Sequence, residues 1–525
     1  MARHLHPGTL ITAGLSTSLL LAAAPALAEV IEIGPADDLI AAASALQPGD
    51  ELVLRGGTYN VSAKLTIGVS GTAQAPIVIR AKDGEVPIIT RPDANQNTVN
   101  IENNEYLVLR GLEVVGGSHG IRLDHARFIT IEACHIHDTG DVGISANFPG
   151  SSYEGLRLLR NHIHDTNNTG EGMYLGCNSN GCQMFDSLIE GNWIHHTNGP
   201  TVVQGDGIEI KEGSYNNVVR DNVIHDTRYP CILTYATVGN GAPNVIERNV
   251  LWGCGDHGIQ SAADAIIRNN IILGAAGDGI RSQPHQSGAP SGLEIVHNTI
   301  LNGQGGALRA TGVVGPVLIA NNALYAPGGN ALDVSGDLAA LIAAGNVGIG
   351  GAVGVGGGFD AGGEAGTDFV GASFSGAPPN DVFPASGSAL IGAGDAQYVT
   401  ADDFNGTARG GEADVGAYHF DAAGNPGWPL GEGFKDPPDG SGGGGGAGSG
   451  AGGGGGEAAG TGGGTGGTGA GGGGNGAEPG DEGGCGCRAA GAGEGAGGAG
   501  LAAAAAAIAA VMRRRRGDGP APGRG

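Results

Sequence analysis

The chain has 525 residues, with 52 acidic against 26 basic side chains and a formal net charge of −26. Such an excess repels a phosphate backbone, so nucleic acid is excluded as a partner, and an acidic exterior serves solubility, salt tolerance or calcium binding. A single large elongated domain needs no second fold to account for the length.

In chain order, Arg3, an apolar run from Leu10 to Ala24 and Ala26-Leu27-Ala28 form a secretory signal with a small-residue cleavage site. The mature protein is expected to begin near Glu29. Asp37-Asp38 ahead of Leu39-Ile40-Ala41-Ala42-Ala43 reads as an acidic helix start, stopped by Pro48-Gly49, and Leu52 to Leu54 as the first strand. Residues 29–115 are expected to hold this N-terminal cap and the first coils, 116–335 regular coils, and 336–420 irregular coils and a closing cap.

The regular part is a repeat. Cys134-His135-Ile136-His137-Asp138, Asn161-His162-Ile163-His164-Asp165, Asn192-Trp193-Ile194-His195-His196 and Asn222-Val223-Ile224-His225-Asp226 are one phrase, recurring at solenoid spacing and fading through Asn249, Asn269-Asn270, Asn298 and Asn321-Asn322. A second phrase, Gly-Ile, runs between them at Gly120, Gly143, Gly207, Gly258 and Gly279, with Gly172-Met173 and Cys231-Ile232 in the same role. A third short apolar strand precedes each Asn. Three strands per coil with Gly and Asn at the corners predict an all-β fold, a parallel β-helix.

Asn161, Asn192, Asn222, Asn249 and Asn269 are expected to stack in one buried column, since Asn tolerates left-handed backbone and its amide reaches the next coil. His137, His164, His195 and His225 lie beside the inward Ile row. They should point outward as a solvated ladder bonded to the neighbouring Asp rather than as a metal site. Cys177 and Cys182 bracket a polar loop that a disulfide would close, Cys231 and Cys254 stand one coil apart and offer a second bridge, and Cys134 fills the Asn-column position.

Aligned on the Gly-Ile strands, Arg122, Ser145, Tyr174, Glu209, Leu233, Gln260, Arg281 and Arg309 share one row. Lys211 and Tyr235 share the next row out. The loops after these strands are the longest in the repeats, and loops collected on one side of a solenoid wall a binding surface. The patch of Tyr174, Glu209, Lys211 and Tyr235 is the candidate site, with the aromatic faces as sugar-stacking platforms and Arg281 as a further binding residue. Asp206-Gly207 and Asp278-Gly279 read as tight-turn chemistry rather than as a carboxylate pair.

The body resembles the pectate-lyase-like superfamily of right-handed parallel β-helices over roughly residues 30–420. Its front matches that superfamily's capping helix and first strand. Gly71-Thr72-Ala73-Gln74-Ala75-Pro76-Ile77-Val78-Ile79-Arg80-Ala81 and Gly207-Ile208-Glu209-Ile210-Lys211 resemble segments of the alginate lyase and chondroitinase B group. That resemblance implies a right-handed coil and a polysaccharide partner, uronic-acid-containing or neutral. It also implies Lys211 as the base for the C5 proton of a uronic acid, and Glu209 as a ligand for calcium against the sugar carboxylate. The sequence departs from the group one coil later, where Cys231-Ile232-Leu233-Thr234-Tyr235 carries no Arg, so the proton donor falls to Tyr235. The alternative is a structural or adhesive surface β-helix without catalysis.

Beyond Phe420 the composition shifts to Gly. Residues 421–484 read as a flexible linker, 485–516 as a sorting signal of Cys485 and Cys487, an apolar stretch and Arg513 to Arg516, and 517–525 as a tail. This order resembles the C-terminal sorting signal of myxobacterial surface proteins. It implies membrane or sorting machinery as its partner, and an exported monomer on the cell surface or outer membrane or released to the extracellular space.

Overall fold

A computed structural model describes residues 28–436. The signal sequence, residues 437–484 of the linker and the sorting signal lie outside the described residues.

The body is a right-handed parallel β-helix. Thirteen parallel strands, from Val30–Ile33 and Glu51–Leu54 through Thr130–Glu132, Arg157–Leu159 and Leu188–Glu190 to Leu341–Ala344, form one sheet in strict coil order. The Asn-phrase strands and the Gly-Ile strands build the other faces, each pairing in parallel with its equivalent one coil on. The register aligns Ile136, Ile163, Ile194 and Ile224, and Ile144, Met173, Ile208, Ile232, Ile259 and Ile280, as two fully buried ladders. At the N-terminal end the helix Leu39–Ala45 closes the tube, capped by Asp38, whose carboxylate accepts from the Ala41 N–H at 3.0 Å.

The corner column is a chain of amides. Asn161, Asn192, Asn222, Asn249, Asn270, Asn298 and Asn322 each pass a side-chain N–H to the next Oδ1 at 2.9–3.0 Å, and Asn346 accepts the last. Here the structure corrects the sequence reading by one residue, because Asn270 and not Asn269 holds the column. Asn269 takes the left-handed backbone, at φ 54°, and turns its amide outward. Cys134 occupies the column's first position as a buried free thiol, its N–H donating to Asn161 Oδ1. Both bridges, Cys177–Cys182 and Cys231–Cys254, are formed.

Outside the tube, His137, His164, His195 and His225 stack on one another at 4.9–5.0 Å and end on Trp252 at 4.3 Å. A second column runs His135, His162, Trp193. His137, His164 and His225 bond their neighbouring Asp as expected, whereas His195 pairs with His196. The ladder is partly accessible at His137 and His164, 15% and 16% exposed, but buried at His195 and His225.

The C-terminal segment explains that burial. It does not simply close the far end of the tube, as expected of a cap, but folds back along its flank. Phe369, Phe383, Phe404, Val415, Tyr418 and Trp428 pack on Val223, Val250, Trp252, Ile271, Leu273, Leu301 and Tyr325. The second column changes chemistry where this apron begins: His135, His162 and Trp193 give way in register to Val223, Val250 and Ile271. Residues 421–436, assigned from composition to the linker, belong to the packed body. Trp428 is buried, and Lys435 donates to Asp221 Oδ1 at 2.7 Å and to the Phe404 carbonyl at 2.7 Å.

On the outer face of the first sheet, Glu190, Arg220, Glu247 and Arg268 stand in one row, alternating in charge. Arg220 lies 2.7 Å from Glu190, and Arg268 2.7 Å from Glu247.

Candidate functional site

The Gly-Ile register sets the site. Arg122, Ser145, Tyr174, Glu209, Leu233, Gln260, Arg281 and Arg309 are consecutive Cα partners across eight coils. Lys211 follows the strand Ile208–Ile210, its N–H donating to the Leu175 carbonyl at 2.7 Å, which aims its side chain over this row.

Tyr174, Glu209, Lys211 and Tyr235 come together, but not as an open patch. Lys211 is 4% exposed and Glu209 1%. The ammonium donates to Glu209 Oε1 at 2.7 Å and lies 4.8 Å from the Tyr174 ring centroid and 4.7 Å from that of Tyr235. The Tyr235 hydroxyl donates to the same Oε1 at 3.3 Å. Both rings therefore face a cation of the protein itself, so the exposed stacking platforms expected from sequence are buried instead.

A roof accounts for the burial. His285 to Gly288 form a tight hairpin that reaches back across the row. His285 Nε2 lies 3.3 Å from the Tyr235 hydroxyl, Gln286 Nε2 donates to Asn178 Oδ1 at 3.3 Å, and the Ser287 N–H donates to Glu212 Oε1 at 3.2 Å. Gly288 is required where the hairpin meets the strands, since a Cβ there would stand 2.9 Å from that of Ala236. Asn178 is itself carried by the loop that the Cys177–Cys182 bridge closes. Arg281, by contrast, stands three coils beyond Glu209. Its guanidinium is committed to Asp278 at 3.0 Å and to Gln283, and the structure does not bring it into the Lys211 cluster.

Behind Lys211 lies a feature that the sequence reading missed. Glu171, Asp206 and Glu209, all buried, place one carboxylate oxygen each within 4.8 Å of one another. Glu171 Oε1, Asp206 Oδ1 and Glu209 Oε2 are buried with no hydrogen-bond partner. Burial first, and then the Glu209 charge, push the Glu171 carboxyl up to about 8, and the same causes raise Asp206 well above the carboxylate range. Asp206 is thus more than turn chemistry. The signal was available, since acids precede the Gly phrase in two consecutive coils, at Glu171-Gly172 and Asp206-Gly207. Two carboxylates stacked one coil apart repel each other and are not what a turn selects. Three buried carboxylates that converge, each with one unpartnered oxygen, are the donor type that a hard, oxygen-loving cation such as calcium would take.

A family model described as "Pel9A-like, right handed beta helix region" matches residues 31–181, and one described as "Right handed beta helix region" matches residues 188–324. The body is a pectate-lyase-like β-helix. Pectate lyase PEL9 of Emericella nidulans is 33% identical to this chain over 87 residues, 14% of this chain, and the chain spans about a fifth, 21%, of that relative's length. Among solved structures, pectate lyase Pel9A shares 15% identity at a TM-score of 0.45, covering 75% of this chain and 96% of that one. An alginate lyase from Paenibacillus sp. str. FPU-7 shares 21% at a TM-score of 0.38, covering 63% and 99%. Within the pectate-lyase-like body, the first matched region ends on Gly181, inside the disulfide loop, so Glu171 and Tyr174 fall in it, while Asp206, Glu209, Lys211 and Tyr235 fall in the second.

Proposed function

We propose that the cluster under the roof is the active centre of a calcium-dependent polysaccharide lyase acting on a uronic-acid polymer by β-elimination. The observation that carries this reading is the set of three unpartnered carboxylate oxygens directly beside the buried Lys211–Glu209 pair. The PEL9 relative, a pectate lyase by name, supports the same substrate class.

Glu171, Asp206 and Glu209 would hold the ion. Calcium held there would supply charge that neutralises a sugar carboxylate and would engage Glu209, the partner that now accepts from the Lys211 ammonium. Lys211 is then the base for the C5 proton, a role it cannot fill while donating to Glu209. The Tyr235 hydroxyl, held between Glu209 and His285, is the donor to the leaving oxygen. Tyr174 flanks Lys211 from the preceding coil and walls the sugar ring. Arg281 belongs to a subsite further along the groove. Exported on the cell surface, such an enzyme meets its polymer outside the cell.

The test is ultraviolet detection of unsaturated products from a panel of uronic-acid polysaccharides, with calcium and with chelator. Activity that needs calcium and falls at least a hundredfold in Lys211→Ala supports the reading. Calcium-dependent glycan binding without unsaturated product, equal in the wild type and in Lys211→Ala, replaces it with a non-catalytic surface binder.

A further inference from the structure

The histidine face on the opposite phrase of the coil has a geometry that a purely structural ladder does not need. Within each column the rings are parallel, His135 on His162 at 4° and His137 on His164 at 4°, and parallel rings cannot share an ion, because each lone pair lies in its own ring plane. Between columns they converge. His135 and His164 are tilted 35° to each other, and in the metal-free protein their Nε2 atoms share one hydrogen bond at 2.8 Å, whose proton a cation would replace. One nitrogen each from His135, His162 and His164 lies within 4.8 Å of the others, and Glu113, His135 and His137 form an overlapping set.

The tautomers point the same way. Asp138 and Asp165 take the left-handed backbone, each at φ 52°, which short acidic side chains tolerate, and this folds each carboxylate back onto the preceding ring. Nδ1 of His137 and of His164 therefore donates, at 2.7 Å in both cases. In the neutral rings Nε2 is left as a bare lone pair oriented by a carboxylate behind it, the arrangement that metal-binding histidines share. His137 Nε2 then faces Glu113 Oε1 at 3.4 Å, two acceptors that a proton or a cation reconciles. The four histidines of these two coils remain partly accessible, with the end of the apron reaching only His162 through Phe434.

We propose that this face binds a divalent d-block cation, Zn²⁺ or Cu²⁺, between the two histidine columns, with His135 and His164 as the converging pair of nitrogen ligands. Imidazole suits these ions, and a tetrahedral site with Zn–N of about 2.0–2.1 Å needs the nitrogens roughly 3.3 Å apart, a small opening of the observed pair. Open positions left to water make it an exposed binding site rather than a closed structural one. It is independent of the acidic nest, whose oxygens suit calcium.

Full-length mature protein without an affinity tag, in calcium-containing buffer, would be titrated calorimetrically with zinc chloride, and with copper chloride followed by electron paramagnetic resonance. The expected result is one equivalent bound, Cu²⁺ more tightly than Zn²⁺, with nitrogen hyperfine structure. Affinity should fall at least tenfold in His135→Gln and in His164→Gln, and binding should be lost in the double variant, with circular dichroism unchanged. Should folding suffer, Asp165→Asn, which leaves the rings in place but removes the orienting carboxylate, should weaken binding by about tenfold. Absence of binding overturns the proposal, as does binding that the double variant retains, which would place the ion elsewhere, at His195 and His196 for example.

Discussion

The Asn222 side chain makes four hydrogen bonds inside the tube. Its Oδ1 accepts from the N–H and the amide of Asn192, and its amide donates to the Ile189 carbonyl and to Asn249 Oδ1. Asn222→Ala would orphan groups in both neighbouring coils, at about 1–3 kcal/mol for each buried group left unpaired. A loss of about 3 kcal/mol, read as a lowered urea midpoint, is expected. The acidic nest gives the second prediction at this scale. Glu171 is raised in the folded state to about 8 from 4.5, so between these values the calcium-free fold binds protons that the unfolded chain has released. Stability from this group is full below about 4.5 and declines as pH rises towards about 8. In chelator the melting temperature should fall across that window, and added calcium should restore it most at the alkaline end; a calcium effect equal at pH 5 and pH 8 would contradict this.

Among elements, the roof controls access to Lys211. His285→Ala with Gln286→Ala removes both of its side-chain anchors, leaving the Ser287 N–H bond to Glu212 and the strands beneath unchanged. Lys211 should then become reactive towards an acylating reagent, detected by mass spectrometry, whereas the native protein should protect it. Strand elements were legible in the sequence because the two phrases repeat: the shared row from Arg122 to Arg309 and both Ile ladders follow from alignment of the coils alone. The roof was not legible. The loop from Pro284 to Gly292 was visible as an insertion, but its reach back to Asn178 and Glu212 depends on contacts over 75 and more residues that no local pattern encodes. For the same reason Tyr174 and Tyr235 were read as exposed, since two-residue alternation reports which face of the sheet a side chain takes and not what covers that face. Asn269 and Asn270 present the same amide to a periodic reading. Backbone handedness and the apron's Arg409 decide between them.

For the molecule as a whole, the apron is a second layer organised around the buried Arg409 and tied to the tube also by Lys435. Arg409 donates to Asn269 Oδ1 and to the carbonyls of Gly416, Ala417 and Tyr418. Arg409→Leu leaves these acceptors buried and unpaired. The apron should detach at a lower temperature than the tube, and limited proteolysis should cut beyond residue 360 while fragments spanning residues 30–345 persist. Simultaneous loss of both would show that tube and apron fold as one unit.

A stack of near-identical coils raises a question of counting, because a growing solenoid that skips one coil still finds aliphatic rungs of the right size to dock on. The alternating row of Glu190, Arg220, Glu247 and Arg268 makes such an error costly. Omitting the coil of Arg220 sets Glu190 against Glu247, and omitting that of Glu247 sets Arg220 against Arg268. Like charges in directly neighbouring strands are destabilising. Worth little as individual surface pairs, these residues act together as a parity check on chain threading, rejecting a skipped coil that the hydrophobic interior would accept.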